Sequence, residues 1–475
     1  MLGRQERWQE DLFVAGPLRD LIPDEHILKR VDRVLDLSWL RAEVQACYQP
    51  DQGRPGIDPE AAVRLMLAGL FQGLTSDRKL LREAQVNLAI RWFAGYRLHE
   101  KLPDHSSLTR IRQRWGAERF RRIFERSVAA CAAAGLVNGE TVHVDATLIR
   151  ADVSWASLTR AHVQRVLAEN PPDDEAPGPP DGGAGPAVSG RQKISRTDPD
   201  ATLATGGAPQ RLEPSYKQHT AVDDQAGVIV DVAVTTGALN EGHALAAQLA
   251  RVEAQTGVAV RTLTADGAYA HPRNYEHLEQ RGTAAVIPPA RERRTAKRIP
   301  ARRFKYDPRP DWVRCPRGSV LRRATRTQLG WVYRGRVDEC LACPWRDRCL
   351  PPSATVRTIT LGAGYEALLR ARRHRRRWGA VEYGLYARHR WRAEGVHGEA
   401  KLCHGLRRAA RRRLWNVQIQ AYLTAAVQNW KRLAAFCRAL PTATGYATRR
   451  DRRGPFIPGA STRAASACPR RRAAA

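Results

Sequence analysis

Residues 140–155 read ETVHVDATLIRADVSW, and the period of that stretch decides the fold. Thr141, His143 and Asp145 alternate with Val142, Val144 and Ala146, the two-residue repeat of a strand whose faces differ. Asp145 is the misfit. A carboxylate inside a short β-branched run costs several kcal/mol if buried alone, so it must be paired, hydrogen-bonded or bound to a metal. An Asp that ends a strand and caps the next turn is the plainer alternative, and the surrounding chain has to decide.

At 475 residues the chain is too long for one core, and typical domain sizes suggest roughly two to four units. The formal net charge of +31 and a sequence pI near 10.7 far exceed what solubility needs, so a polyanion, nucleic acid first, is the expected partner. Only nine of the 79 basic residues are Lys. A GC-rich genome gives the same bias, so the arginines alone say little about phosphate recognition. No apolar run approaches the roughly 18–20 residues that span a bilayer, and residues 1–16 lack a signal-peptide core. The expectation is a cytoplasmic protein with no membrane partner. Nine cysteines, an odd number in an intracellular-looking chain, argue against a disulfide framework.

Upstream of the strand, after a flexible stretch at 1–20, the sequence reads as helical over 21–135. Val63, Met66, Leu67, Leu70 and Phe71 form one apolar stripe, and Leu80, Leu81, Ala84 and Leu88 the next. Ser76 is available as N-cap between them. Pro103 to Ser107 cap a third helix, whose face with Arg110, Arg112 and Arg114 is read as exposed. Short capped helices with basic faces suit insertion into a major groove, although a merely solvated face shows the same pattern. A longer helix over 117–134, with Gly135 as C-cap, delivers the chain to the Asp145 strand.

Downstream, NPPDDEAPGPPDGGAGPAVSG at 170–190 cannot build a core. About 156–214 therefore reads as a disordered insertion in a catalytic core over 136–290, with RTDPDA at 196–201 read as a turn. Order returns as a hairpin, with strands at 216–222 and 228–236. Asn240 caps a helix that Gly257 ends, and a strand at 258–264 runs into Asp266. That places Asp266 just past the carboxyl end of a strand, the edge where sites form in open α/β sheets. A helix at 272–281 and a strand at 284–287 complete the series.

Residues 291–360 begin with RERRTAKRIPARRFK, as basic as a phosphate-contacting surface. Cys315, Cys340, Cys343 and Cys349 follow. Closely spaced thiolates in a reducing compartment usually ligate tetrahedral zinc; with a single CxxC pair, free thiols are the other reading. Residues 361–436 read as C-terminal helices that complete the core, and 437–475 as a disordered basic tail. Arg390, Glu394, His397 and Lys401 fall at steps of four, three and four on one helix and so share a face, as a surface salt-bridge ladder also would. Glu399 is turned about 140° from Glu394.

An Asp on a strand, an Asp after a strand and a Glu on a late helix repel one another unless divalent cations neutralise them. Two hard cations about 4 Å apart can activate a water or a 3'-hydroxyl and stabilise the leaving oxygen of a phosphodiester.

On these residues the sequence resembles the DDE transposases of bacterial insertion sequences. The likeness runs to about Phe436. It is carried by PDHSSL (103–108), VHVDAT (142–147), YKQHTAV (216–222), ADGAY (265–269), the four-cysteine insertion and the Arg390, Glu394, Lys401 face. It implies an α/β ribonuclease H-like catalytic core, a mixed sheet flanked by helices, with an all-α, helix-turn-helix-like N-terminal domain and a small zinc-binding insertion. By position, Asp145, Asp266 and Glu394 become the metal-binding triad for two Mg2+ or Mn2+ ions, and the four cysteines hold a structural Zn2+. Related enzymes place the third carboxylate in a Tyr, Arg, Glu, Lys signature; Arg390, Glu394 and Lys401 match it, while Tyr386 stands one residue early. The resemblance further implies hydrolysis at terminal inverted repeats, then attack of the freed 3'-hydroxyl on target DNA. A nucleoid-associated homodimer would pair the two ends, with Lys401, Arg390, His397, Lys217, Arg110 and Arg112 on double-stranded DNA. A structure-specific nuclease on the same fold, or a catalytically dead DNA-binding regulator, would share much of this surface.

Overall fold

The computed structural model describes residues 16–49, 56–153, 158–159, 194–195, 197–203, 213–289, 298–327 and 330–439. Most of the 156–214 insertion, the first part of the 291–305 basic segment, Cys468 and the rest of the tail lie outside the described residues.

The alternation around Asp145 builds β1 (Thr141–Arg150), the centre of a mixed sheet. The following strands are β2 (Pro214–Asp223), β3 (Ile229–Thr236), β4 (Thr262–Ala265) and β5 (Ala284–Val286). β2 runs antiparallel to β1 and to β3, whereas β4 is parallel to β1 and β5 is parallel to β4. Four strands thus point the same way, and the spatial order is β3, β2, β1, β4, β5. The β2–β3 hairpin turns at Gly227, whose φ of 72° is in the left-handed region that favours glycine. Parallel pairing needs a crossover, and the Leu245–Thr256 and Pro272–Gln280 helices supply it.

β3 would be an open edge but for the last helix, Leu414–Ala439. Gln418 Oε1 accepts the Val234 N–H at 2.7 Å, and Asn429 takes both backbone groups of Ile229, each at 2.9 Å. Asn429 also donates to Ser127 Oγ at 3.2 Å, on the His105–Ala133 helix. One buried amide therefore joins the sheet edge to two helices, satisfying groups that an unpaired edge would expose. RTDPDA is more than the turn expected from sequence: Asp198 and Asp200 accept the N–H groups of Arg413 and Leu414 at 3.0 and 2.9 Å, closing the start of that last helix.

The N-terminal half is helical, with Asp58 capping Pro59–Phe71, Asn87 capping Leu88–Ala94 and Asp104 capping His105–Ala133. Ser76 precedes Asp77–Val86 without a side-chain cap. Gly116, at φ 67°, breaks the long helix where the sequence separates two. The apolar faces of these helices share one core with the sheet, from Leu28 and Leu67 through Phe124 and Val144 to Trp430. Residues 305–361 form a five-stranded antiparallel sheet with its own small core of Phe304, Val313, Leu321, Tyr333, Ile359 and Leu361. Among the described residues no helix is long and apolar enough to cross a membrane.

Arg110 and Arg114 are exposed as the sequence reading has them, but Arg112 is not. Arg112 is 5% exposed and pairs with buried Asp77 through both guanidinium arms, at 2.7 and 3.0 Å; Arg411 reaches the same carboxylate. Two residues from Arg110 is about 200° of helix, so Arg112 falls on the side of buried Leu108, Ile111 and Trp115, where a bidentate carboxylate partner satisfies it. Burial pushes the Asp77 carboxyl up, but Arg112 and Arg411 more than offset this and hold it below its ordinary value. Asp77→Ala leaves two cations facing each other unpaired, at an expected cost of about 3–5 kcal/mol in chemical unfolding. A depressed native carboxyl stabilises fully above its unfolded value near pH 4 and loses that contribution as pH falls through the native value. A wild-type unfolding midpoint for this variant at neutral pH would show that the pair joins nothing.

Candidate active site

Val144 of β1 pairs in parallel register with Ala265 of β4, so the next residue on each strand, Asp145 and Asp266, is a carboxylate. β3 points the same way and is followed by Asn240, which caps the 3-10 turn Glu241–Ala244. The three acids meet here. Among the described residues, Asp145, Glu241 and Asp266 are the one group of three such ligands whose atoms all lie within 4.8 Å of one another. All three are partly buried.

Each acid has a different environment. Asp145 Oδ1 accepts its neighbour Ala146 N–H at 2.8 Å, and Oδ2 lies 3.4 Å from His397 Nδ1. Burial raises the Asp145 carboxyl, but His397, His389 and that N–H bring it below the ordinary carboxylate range. Asp266 accepts the Ala268 N–H at 2.9 Å, and is pushed up by burial and by the charge of Asp145. Glu241 is also raised, by burial first, although Lys217 Nζ stands 3.3 Å away and lowers it. The donor set is all oxygen, crowded and short of positive charge, which suits a hard divalent cation.

Beneath the acids lies a buried layer of neutral polar groups. His143 Nδ1 is 2.6 Å from Thr264 Oγ1, and its Nε2 is 2.9 Å from Asp224 Oδ1, a carboxylate clamped at both oxygens by Arg388. Thr264 Oγ1 is in turn 3.2 Å from His389 Nδ1. Burial pushes the His389 imidazole down to about 4, so it is uncharged at neutral pH.

The late helix departs from its sequence reading. It is not one α-helix: Ala380–His389 and Gly395–Cys403 are joined by a π-helical turn, Arg390–Glu394. The extra residue in a π turn breaks the four, three, four alignment. Arg390 and Glu394 face solvent as an i,i+4 ion pair at 3.4 Å, while His397 is buried against Asp145 and Thr220. Lys401 is half-buried. Lys217, expected on DNA, is also buried and donates to Leu239 O at 2.8 Å. Of the six expected DNA contacts, Arg110 and Arg390 are exposed, Lys401 is half-buried, and Arg112, Lys217 and His397 are buried. Glu399 sits among His404, Lys431 and Arg432, which together outweigh burial and depress its carboxyl; it ties its helix to the last one. Glu241 was passed over in the sequence beside its capping neighbour Asn240, and only the direction of β3 relative to β1 could have singled it out.

The four cysteines lie along the small second sheet. Cys315 and Cys349 pack on its core, Cys343 Sγ accepts the Trp345 N–H at 3.4 Å, and burial raises the Cys349 thiol with Cys340, Cys343 and Cys315 adding to the effect.

The family profile described as Transposase DDE domain matches residues 191–430, half of the chain, and the one described as Transposase domain (DUF772) matches residues 16–114. The chain belongs to the DDE transposase family. It is a DNA transposase, an enzyme, and its mixed sheet with flanking helices fits a ribonuclease H-like core. A comparison with curated proteins gives no match. Among solved structures, a cryo-EM structure of the piggyBac transposase synaptic complex with hairpin DNA is similar over 87% of this chain and 72% of that one, at 10% identity and a TM-score of 0.31. A Mos1 transposase paired-end complex with left transposon end is similar over 52% and 65%, at 11% identity and a TM-score of 0.17. Likenesses so distant add nothing to the family match.

Mutual repulsion at the acids has a measurable consequence. Asp266→Asn keeps the oxygen that accepts the Ala268 N–H and removes one of the like charges. Without divalent metal the variant should melt above wild type, by about 1 kcal/mol of stability. A lower melting temperature would mean that Asp266 stabilises the fold.

Proposed function

We propose that this transposase cleaves at the terminal inverted repeats of its element and joins the freed 3'-hydroxyls to target DNA, with Asp145, Asp266 and Glu394 as its catalytic carboxylates. The observation that carries the reading is the pair Asp145 and Asp266, side by side where the parallel pairing ends, Asp145 midway along β1 and Asp266 just past the end of β4. The crowded oxygens fit two Mg2+ or Mn2+ ions, which when bound supply activation of the attacking oxygen and stabilisation of the leaving one. His397 fixes the Asp145 carboxylate from one side and Ala146 N–H from the other, holding its oxygens toward Asp266. Glu394 is held outward by Arg390 in an exposed pair, an interaction worth about 0.3–0.5 kcal/mol. A DNA phosphate that takes Arg390 frees the glutamate at little cost, coupling end binding to assembly of the triad.

Exposed cations provide the place for the duplex. Arg110 lies on the helical half, over 21–135, which we assign to end recognition. On the second sheet, Arg323 and Arg326 lie over the Trp331 ring at 4.2 and 5.9 Å. Lys401 approaches the phosphates near Asp145. A homodimer on the nucleoid is the form in which two ends are paired. The test is strand transfer from pre-cut ends. Glu394→Gln should abolish joining under magnesium, whereas Glu399→Gln should leave most of it, because Gln can still accept hydrogen bonds from Lys431 and Arg432. The reverse pattern would move the site to Glu399, and nicking without any joined product from wild type would make the protein a nuclease.

Their spacing in the sequence and their mutual influence carry the proposal that Cys315, Cys340, Cys343 and Cys349 hold one structural zinc; no three of the sulfurs stand within 4.8 Å of one another in this structure, so metal would have to draw them together. Metal analysis should find about one zinc per chain, lost in Cys340→Ser. Protein purified without chelator and free of zinc would leave these residues as thiols.

A further inference from the structure

Glu241, the acid that the structure places beside Asp145 and Asp266, is outside the Tyr, Arg, Glu, Lys signature. Two observations mark it as more than a surface acid. Its partner Lys217 is only 5% exposed at the side chain and Glu241 itself 22%, so the pair is largely withdrawn from solvent. The Tyr269 hydroxyl, on the turn that follows Asp266, is fully buried and has no hydrogen-bond partner, and the charges nearest to it are Glu241, Asp145 and Asp266. An orphaned buried hydroxyl costs about 1–3 kcal/mol. Reorientation of an acid of this cluster, or a water held there, would relieve it.

We propose that Glu241 is a fourth carboxylate of the divalent-metal site, held on Lys217 until a cation arrives. This rests on reading Asp145 and Asp266 as metal ligands. Three ionised carboxylates carry −3 and Lys217 returns +1, so the cluster stands at −2, the charge that one divalent cation balances. Glu394, paired with Arg390 in solvent, takes no part in that resting arrangement. The first cation is therefore bound by the DNA-free protein through Asp145, Asp266 and Glu241, before Glu394 is released.

The experiment is a Mn2+ titration of the full-length protein without DNA, with free Mn2+ followed by electron paramagnetic resonance and each variant checked to melt no lower than wild type in chelator. Glu241→Gln, which can still accept a hydrogen bond from Lys217, should weaken binding by about tenfold or more, at least the loss expected when even an outer-shell partner is removed. Glu394→Gln should bind as wild type does, and Lys217→Met should bind more tightly. If Glu241→Gln fails the melting check, Glu241→Asp, which keeps the charge on a shorter arm, takes its place with the same expected direction. Asp145→Asn separates the two levels of the argument. If it weakens binding and the Glu241 variants do not, the role of Glu241 is overturned; if neither weakens binding, the metal reading of the whole site falls. Unchanged affinity in Lys217→Met would overturn the holding role of the lysine.

Discussion

The parallel register of β1 and β4 is the constraint on which the rest of the molecule depends. Pairing Val144 with Ala265 leaves no freedom over what comes next, since Asp145 and Asp266 must be neighbours at one edge. Parallel strands cannot be joined by a tight turn, so residues 237–261, between β3 and β4, must leave the sheet and return. In doing so they pass Glu241 across the same edge. The local cost is real: two of the three acids are pushed toward their protonated forms by burial and by one another. Sites that store repulsion need a frame that cannot relax it.

That frame is the last helix. Gln418 and Asn429 replace the missing neighbour strand of β3, and Asn429 also bonds Ser127 across the interface. The helix that closes the sheet also bounds the π-turn element, because Lys431 and Arg432 reach forward to Glu399. Glu394, proposed as a catalytic carboxylate, and Glu399, which ties its helix to the last one, thus stand five residues apart in opposite surroundings. Glu399 is depressed and enclosed by cations; Glu394 has a single exposed partner.

Much of this was legible in the sequence where a pattern has one physical meaning. Alternation around Asp145, the hairpin after residue 214 and an Asp at the end of a strand need only local rules, and the sheet follows from them. Four things were out of reach. Arg112 reads with Arg110 as one basic face although two residues stand about 200° apart on a helix, and nothing local announces Asp77, 35 positions away, as the bidentate partner that lets an arginine sit on the buried side. The π turn is invisible to a count by four, three and four, since the count presupposes an unbroken α-helix. RTDPDA read as a turn because its partners, the amides of Arg413 and Leu414, lie more than 200 positions downstream. Five short strands between residues 305 and 361 were hidden behind their cysteines and arginines.

If Glu241 and Glu394 both serve the site as proposed, they are kept in reserve by different means. Both are held by a cation, but Lys217 is enclosed whereas Arg390 is 77% exposed at the side chain. An enclosed pair is screened little by salt, and only a group inside the cluster can compete for its carboxylate. An exposed pair is screened by salt, and any phosphate that reaches the surface can compete for its arginine. On the proposed reading, the enclosed glutamate therefore answers to a metal ion and the exposed one to DNA. Burial alone would then set the order of assembly, with no need for a separate moving part.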